Sequence, residues 1–418
     1  MVILLGLVLI GAAILIRVFI LKPVSMAKLA NIPAGEYDPV VWGQYYPQEY
    51  QSYLKNKKMS PSPTGFGGSE KVQKSVQEPE ITVTFKGMPF SIDYSEDRGH
   101  PYALDDLKNT KRIDETTVGS CMTCKTANFI DVFKEKGWGY AKTPLKDLLP
   151  QLKQPIVCAN CHDPATMNLR VINPAFIEAM DRRGINLTKA TREEMRSYVC
   201  AQCHVEYYFA PSDKKVIFPW DKGLKPDQMY SYYAEKPNAF EKDWQHPDSQ
   251  ALMLKAQHPD FETWSGGVHA NSGVSCPDCH MFFTREDGIK TTSHWVTSPM
   301  KNTKQACLTC HTQSEDWLLD RVKTTQNNVW QLQRIAGQTI SRAHQVISQA
   351  AQVKESDTGK LDQSRELIRK AQWFWDIVAA ESSMGFHNPS QVQNTLGQSI
   401  DLAHQAITTA NEAAHSNF

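Results

Sequence analysis

From residue 318 onward the apolar positions recur every three or four residues. Val322, Val329, Leu332, Ala336, Ala343, Val346 and Ala350 keep a period of roughly 3.5–3.6, which predicts one long amphipathic helix. The polar stretch "ESDTGK" interrupts it, and a second helix follows on Leu361, Ile368, Ala371, Trp375 and Val378. "GFHNP" at 385–389 reads as the end of that helix, because Gly385 suits a C-cap and Pro389 cannot continue it. Leu396, Ile400, Ala403 and Ile407 mark a third helix. Long helices of this kind pack either on their own core or on a second subunit.

The opposite end is apolar throughout. Residues 2–16 carry no charge, Arg17 interrupts, and residues 18–21 are apolar again. Such a segment is either a retained membrane anchor or a cleaved signal, and we expect residues 1–22 to be one of these. The positive-inside tendency would place Arg17, Lys22 and Lys28 in the cytoplasm, so orientation rests on the chemistry described below. Between the two ends the pattern is broken. "SPSPTGFGGSE" at 60–70 is a loop by its Pro, Gly and Ser content. "ITVTF" at 81–85 alternates Ile81, Val83 and Phe85, which predicts a short strand.

Charge excludes one class of partner. Lys plus Arg and Asp plus Glu are both 45, and a balanced chain lacks the basic excess that nucleic acid calls for.

Cysteine usage carries the chemistry. The ten cysteines form five C-x-x-C pairs with none left over: "CMTCK" at 121–125, "CANCH" at 158–162, "CAQCH" at 200–204, "CPDCH" at 276–280 and "CLTCH" at 307–311. C-x-x-C-H attaches a c-type haem: Cys158 and Cys161, Cys200 and Cys203, Cys276 and Cys279, and Cys307 and Cys310 bind the macrocycle, and His162, His204, His280 and His311 supply proximal ligands. Zinc cages would use the pairs two at a time, leave one over, and give no reason for a histidine after four of them. Covalent haem attachment takes place outside the cytoplasmic membrane, which sets the orientation of the N-terminal segment. With five macrocycles in the core, the ten Trp, fourteen Tyr and sixteen Phe read as haem packing and ordinary core rather than as individually special residues.

The first motif, Cys121 and Cys124, ends in Lys125. A lysine ligates iron only as the neutral amine, against an ordinary pKa of about 10.4. Electron relay makes no such demand, so the Lys125 haem reads as five-coordinate and reactive, with four six-coordinate haems feeding it. Nine histidines remain after the four motif histidines. His100, His258, His269, His294 and His387 lie in haem-rich or distinctive contexts, whereas His246, His344, His404 and His415 read as solvated or packed side chains.

The order of these motifs, with "RGHPYALDDLKNTKR", "CAQCHVEYYF", "LKAQHPDFETWSGGVH" and "GFHNP", resembles the ammonia-forming cytochrome c nitrite reductases from about residue 34 to the C-terminus. The resemblance implies a mainly α multihaem cytochrome c fold with few short strands, a pentahaem catalytic region at 34–315, and a long-helix region at 316–418 forming a homodimer interface. It implies six-electron reduction of nitrite to ammonium at the Lys125 haem. His294, His100, His387 and His269 become the sixth ligands of the second, third, fourth and fifth haems, and Arg112, Tyr207 and His258 surround the open face of the first. Arg98, two residues before a ligand histidine, reads as structural or as a haem-propionate partner. A calcium ion is implied beside the pocket, held by the Glu206 carboxylate, the Gln257 side-chain oxygen and the backbone carbonyls of Tyr207 and Lys255. The implied electron donor is a membrane-bound quinol-oxidising multihaem cytochrome. The competing readings are a relay cytochrome without its own substrate, and a multihaem reductase acting mainly on hydroxylamine or sulfite.

Overall fold

The computed structural model describes residues 31–95, 98–235, 240–286 and 288–415. The N-terminal segment expected to be an anchor or signal lies outside these. Among the described residues no helix is long and apolar enough to cross a membrane.

Three long helices dominate: Glu315–Ala350, Thr358–Ala379 and Pro389–Ala414. Each starts on a side-chain oxygen that accepts an otherwise unpaired backbone N–H. Ser314 takes that of Trp317, Asp357 that of Lys360, and Asn388 that of Gln391 ahead of Pro389. On the first, Val322, Val329, Ala336, Ala343 and Ala350 are buried along one stripe, while Leu332 and Val346 flank it half-buried. The second is buried on every side from Ala371 to Ala379. It is therefore the interior wall between the bundle and the motif-bearing region. Its Trp375 indole donates to Gln333 O on one side, and its Trp373 indole to Pro226 O on the other.

Two expectations fail here. The second helix stops at Ala379, six residues short of Gly385, so "GFHNP" is not its C-cap. Gly385 instead turns the connection at φ +77°, and a Cβ there would lie 2.8 Å from the Val329 side chain. Pro389 opens the third helix rather than closing the second. "ITVTF" is not a strand either, but a single helical turn, Ile81–Thr84. Ile81, Thr84 and Phe85 are buried while Thr82 faces solvent, a helical spacing that the β-branched composition disguised. Phe85 drives the choice by packing against Trp244 and Trp375 at ring separations of 5.8 and 5.9 Å.

The strands among the described residues form three two-stranded antiparallel pairs: Tyr208–Phe209 with Val216–Ile217, Trp244–Gln245 with Leu252–Met253, and Phe283–Glu286 with Ile289–Thr292. The first begins directly after Tyr207 and the second ends just before Lys255. Two of the three hairpins thus fix the segments expected to carry the site.

Candidate active site

The cysteine motifs are single helical turns. His162, His204 and His311 each donate a backbone N–H to the first cysteine of their own motif, at 2.9, 3.0 and 2.9 Å. The fourth motif is itself the helix Cys276–His280. The turn swings both sulfurs and the following residue to one side. All ten cysteines are free of disulfides, as thioether attachment to haem requires. Cys124 makes side-chain contact with Cys203, and Cys200 with Cys276. The third motif therefore lies between the first and the fourth.

Each motif histidine faces a second imidazole. Ring centroids are 6.2 Å apart for His162 and His294, 6.4 Å for His204 and His100, 6.2 Å for His280 and His387, and 6.3 Å for His311 and His269. Two imidazoles bonded end-on to one ion through metal–nitrogen bonds of roughly 2 Å, with rings about 1 Å from nitrogen to centre, hold their centroids roughly 6 Å apart. The spacing fits an iron between each pair, and the cysteines and histidines together fit covalent haem.

The ring nitrogens fit as well. Nδ1 of His162 lies 2.9 Å from Met167 O, that of His280 3.0 Å from Thr297 O, and that of His294 3.0 Å from Thr292 O. These contacts hold the proton on Nδ1 and leave Nε2 available to a metal. His204 and His387 differ by using carboxylates: Asp260 Oδ2 at 2.8 Å and Glu381 Oε1 at 2.5 Å.

Lys125 is half-buried, and its charge is felt at Cys121, Cys124 and Cys203. Tyr140, Phe129 and Met122 belong to the buried apolar cluster against which Cys121 packs. The Arg112 guanidinium lies 4.2 Å over the Phe90 ring, its Nε donates to Thr110 Oγ1, and its charge reaches Cys121 and Tyr207. Burial pushes the Tyr207 phenol well above its ordinary range, so it stays protonated. Arg98 faces elsewhere: it pairs with Asp106 at 2.8 Å and stacks on Tyr102. His258 lies against the third motif, with its ring 4.4 Å from that of His204 and its Nδ1 3.3 Å from Asp260 Oδ2. Burial works against ionisation of Asp260, but His258, His204 and His387 hold it well below the usual carboxylate range.

Three of the residues expected to hold calcium, Glu206, Gln257 and Lys255, lie together. Glu206 is fully buried; its Oε2 accepts the Gln257 N–H at 2.6 Å and its Oε1 the Tyr233 hydroxyl at 3.0 Å. The Gln257 side-chain amide lies 3.2 Å from Lys255 O. Glu262 Oε1 accepts from Glu206 N and the Trp220 indole, while its Oε2 is buried without a protein partner. Asp243 accepts the Lys255 N–H. Burial pushes Glu206 well above the ordinary range and Glu262 to about 8. Glu206, Glu262 and Asp376 are buried carboxylates, and Asp376 pairs directly with the Lys255 ammonium. Buried carboxyls resist ionising without a cation beside them, and these hard oxygen donors suit a divalent ion such as calcium.

Sequence reasoning did not single out Asp260, Asp376, Glu381, Asp243 or Glu262. Asp260 and Glu262 stood inside the quoted "HPDFETW", where a carboxylate two residues after a site histidine and at the head of the helix Asp260–Ser265 was a usable signal. Asp376 reaches Lys255 across 121 residues, and no local pattern announces that.

Comparison with known proteins agrees with this geometry. The family model for cytochrome c552 matches residues 38–417. The chain is 38% identical over 382 residues to cytochrome c-552 of Parabacteroides distasonis, covering 89% of this chain and 76% of that one. It is 38% identical over 387 residues to the cytochrome c nitrite reductase subunit NrfA of Nitratidesulfovibrio vulgaris, covering 86% and 72%. Among solved structures it superimposes with a TM-score of 0.86 and 34% identity on the catalytic subunit of cytochrome c nitrite reductase from Desulfovibrio desulfuricans, covering 95% of this chain and 89% of that one. That protein is described with two calcium sites.

Proposed function

This chain belongs to the cytochrome c552 family, and we propose that it is an ammonia-forming nitrite reductase whose Lys125 haem is fed electrons by four bis-histidine haems. Histidine accounting carries the reading. Of thirteen histidines, eight stand in the four facing pairs. His246 and His344 stack on each other, and His404 and His415 are exposed on and just beyond the third long helix. His258 is the one left over, and it lies beside the motif that abuts Cys124. The first motif thus ends in an amine, and the protein supplies a proton-bearing imidazole nearby rather than a sixth ligand.

Haem iron, when bound, supplies the site for the nitrite nitrogen and the path for six electrons. The chain's own residues do the rest. Arg112 provides the cationic side of the pocket for an anion, as transition-state oxygens require. His258 delivers protons as the nitrite oxygens leave as water. The protonated Tyr207 donates a hydrogen bond to what is bound. Calcium on Glu206, Gln257 and the Lys255 and Tyr207 carbonyls would tie the Tyr207 and His258 segments together and add positive potential.

In this reading residues 1–22 hold or deliver the protein at the outer face of the cytoplasmic membrane. Residues 34–315 form the pentahaem catalytic region, and residues 316–418 meet a second copy, an assignment that half-exposed Trp317 and Ile335 on the first long helix support. A membrane-bound quinol-oxidising multihaem cytochrome supplies the electrons. The test is to incubate the anaerobic holoprotein with excess reduced viologen and nitrite and to quantify both ions. One ammonium per nitrite consumed is expected; surviving nitrite or a gaseous product would overturn the assignment.

A further inference from the structure

Asp260 occupies a position that neither haem binding nor substrate binding requires by itself. Its Oδ2 accepts from His204 Nδ1 at 2.8 Å and lies 3.3 Å from His258 Nδ1. The same carboxylate is anchored by Ser382, whose N–H meets Oδ1 at 2.7 Å and whose hydroxyl meets Oδ2 at 3.1 Å. Asp260 is buried, so its charge is poorly screened. The next residue before Ser382, Glu381, holds His387 Nδ1. One short connection after the second long helix therefore steadies the two ligand histidines that use carboxylates.

We propose that Asp260 is a positioning residue that, through a single oxygen, aims the His258 imidazole at the substrate pocket and at the same time sets the electron richness of the His204 imidazole behind the adjoining haem. A carboxylate drawing on the Nδ1 proton makes the opposite nitrogen a stronger donor, which favours the oxidised metal and lowers its potential. The same oxygen fixes the His258 ring rotation, and orientation is the part of acid catalysis most easily lost. The proposal rests on the haem reading of His204. It couples the haem next to the Lys125 motif and the imidazole beside the pocket to one charge.

The test is Asp260→Asn in the full-length holoprotein, after haem content confirms five haems; a protein lacking haem on Cys200 and Cys203 would refute the haem reading rather than this inference. Two readouts are taken, nitrite kinetics and redox titration of the low-spin haems. The expected result is a kcat lowered by about 10- to 100-fold with KM much less changed, together with one low-spin haem moving to a more positive potential. His258→Asn should lower kcat and leave that potential in place. Ser382→Ala, which removes one donor to Oδ2, should move both readouts the same way by a smaller amount, and it carries the test if Asp260→Asn fails to load five haems. A loss of turnover without a shift in potential, or a shift without loss of turnover, overturns the proposal.

Discussion

The ammonium of Lys255 lies 2.8 Å from Oδ1 of Asp376, and both side chains are shut away from solvent at 1% and 0% exposure. Asp376 also accepts the Ala256 N–H at 2.7 Å. Phe85, Phe90 and Tyr94 surround the ammonium at 5.0–5.1 Å from their ring centres. The second long helix thereby clamps the segment that presents the Lys255 carbonyl, Gln257 and His258. Removing one partner strands a charge in an apolar, aromatic setting, which costs about 3–5 kcal/mol. Asp376→Asn should lose roughly that much stability in urea unfolding of the holoprotein and bind calcium more weakly. A loss under about 1 kcal/mol would mean that the aromatic cage, rather than the carboxylate, holds the ammonium.

Glu206 tests the metal. Its carboxylate is the buried group on which Gln257 N and Tyr233 converge. Glu206→Ala should lower both bound calcium, read by metal analysis, and nitrite turnover, because the Tyr207 and His258 segments lose their common anchor. Full turnover in protein shown to be free of calcium would remove the structural role assigned to the ion.

Lys125→His turns the first motif into a copy of the other four. At His162, His204 and His280 the Nδ1 partner comes from Met167, Asp260 and Thr297, outside the motif itself. A histidine at 125 brings no partner evolved for its Nδ1, and an imidazole replaces the amine proposed to hold the reactive haem. Turnover should fall by roughly 10- to 100-fold, with five haems still attached. Unchanged turnover in that protein would show that the amine is incidental.

The four motif histidines and the pool from which their partners come were legible in the sequence, because each stands in a short motif or a distinctive context; which faces which was implied only by the family resemblance. The long helices were legible for a similar reason: one apolar stripe repeated over 36 residues leaves little choice. Their boundaries were less so. At "GFHNP" the glycine and proline signalled a break, but a nine-residue connection places Glu381 and Ser382 before Gly385, and no local rule fixes its length. The strand expected at "ITVTF" failed because Ile81, Val83 and Phe85 satisfy an alternating pattern by composition. Packing of Phe85 against Trp244 and Trp375 then selected a helical turn instead. The carboxylates of the site were hidden for a third reason: Asp376, Asp243 and Glu381 act across gaps in sequence, and only the fold brings them to Lys255 and His387.

His344 and His246 give a prediction far from the haem motifs. The rings stack 3.9 Å apart at 12°, with His344 Nδ1 2.8 Å from Ser249 Oγ and Nε2 2.9 Å from Gln372 Oε1. Nε2–H donates to the amide oxygen and Nδ1 accepts from the hydroxyl, so the neutral ring is fully satisfied. Burial first, and His246 second, push His344 down to about 3. A histidine in the unfolded chain titrates near 6.5, so below that value the unfolded state takes up a proton that the folded state refuses. Stability from this group is therefore intact above pH 6.5 and declines as pH falls from there toward 3, by about 1.4 kcal/mol per unit. His344→Gln removes the titration while keeping a polar side chain. The stability gap between wild type and variant, measured by urea unfolding, should narrow by about 2 kcal/mol between pH 7 and pH 5. A gap that stays constant across that range would mean that the buried ring accepts its proton as readily as an exposed one, and that the stack does not exclude charge.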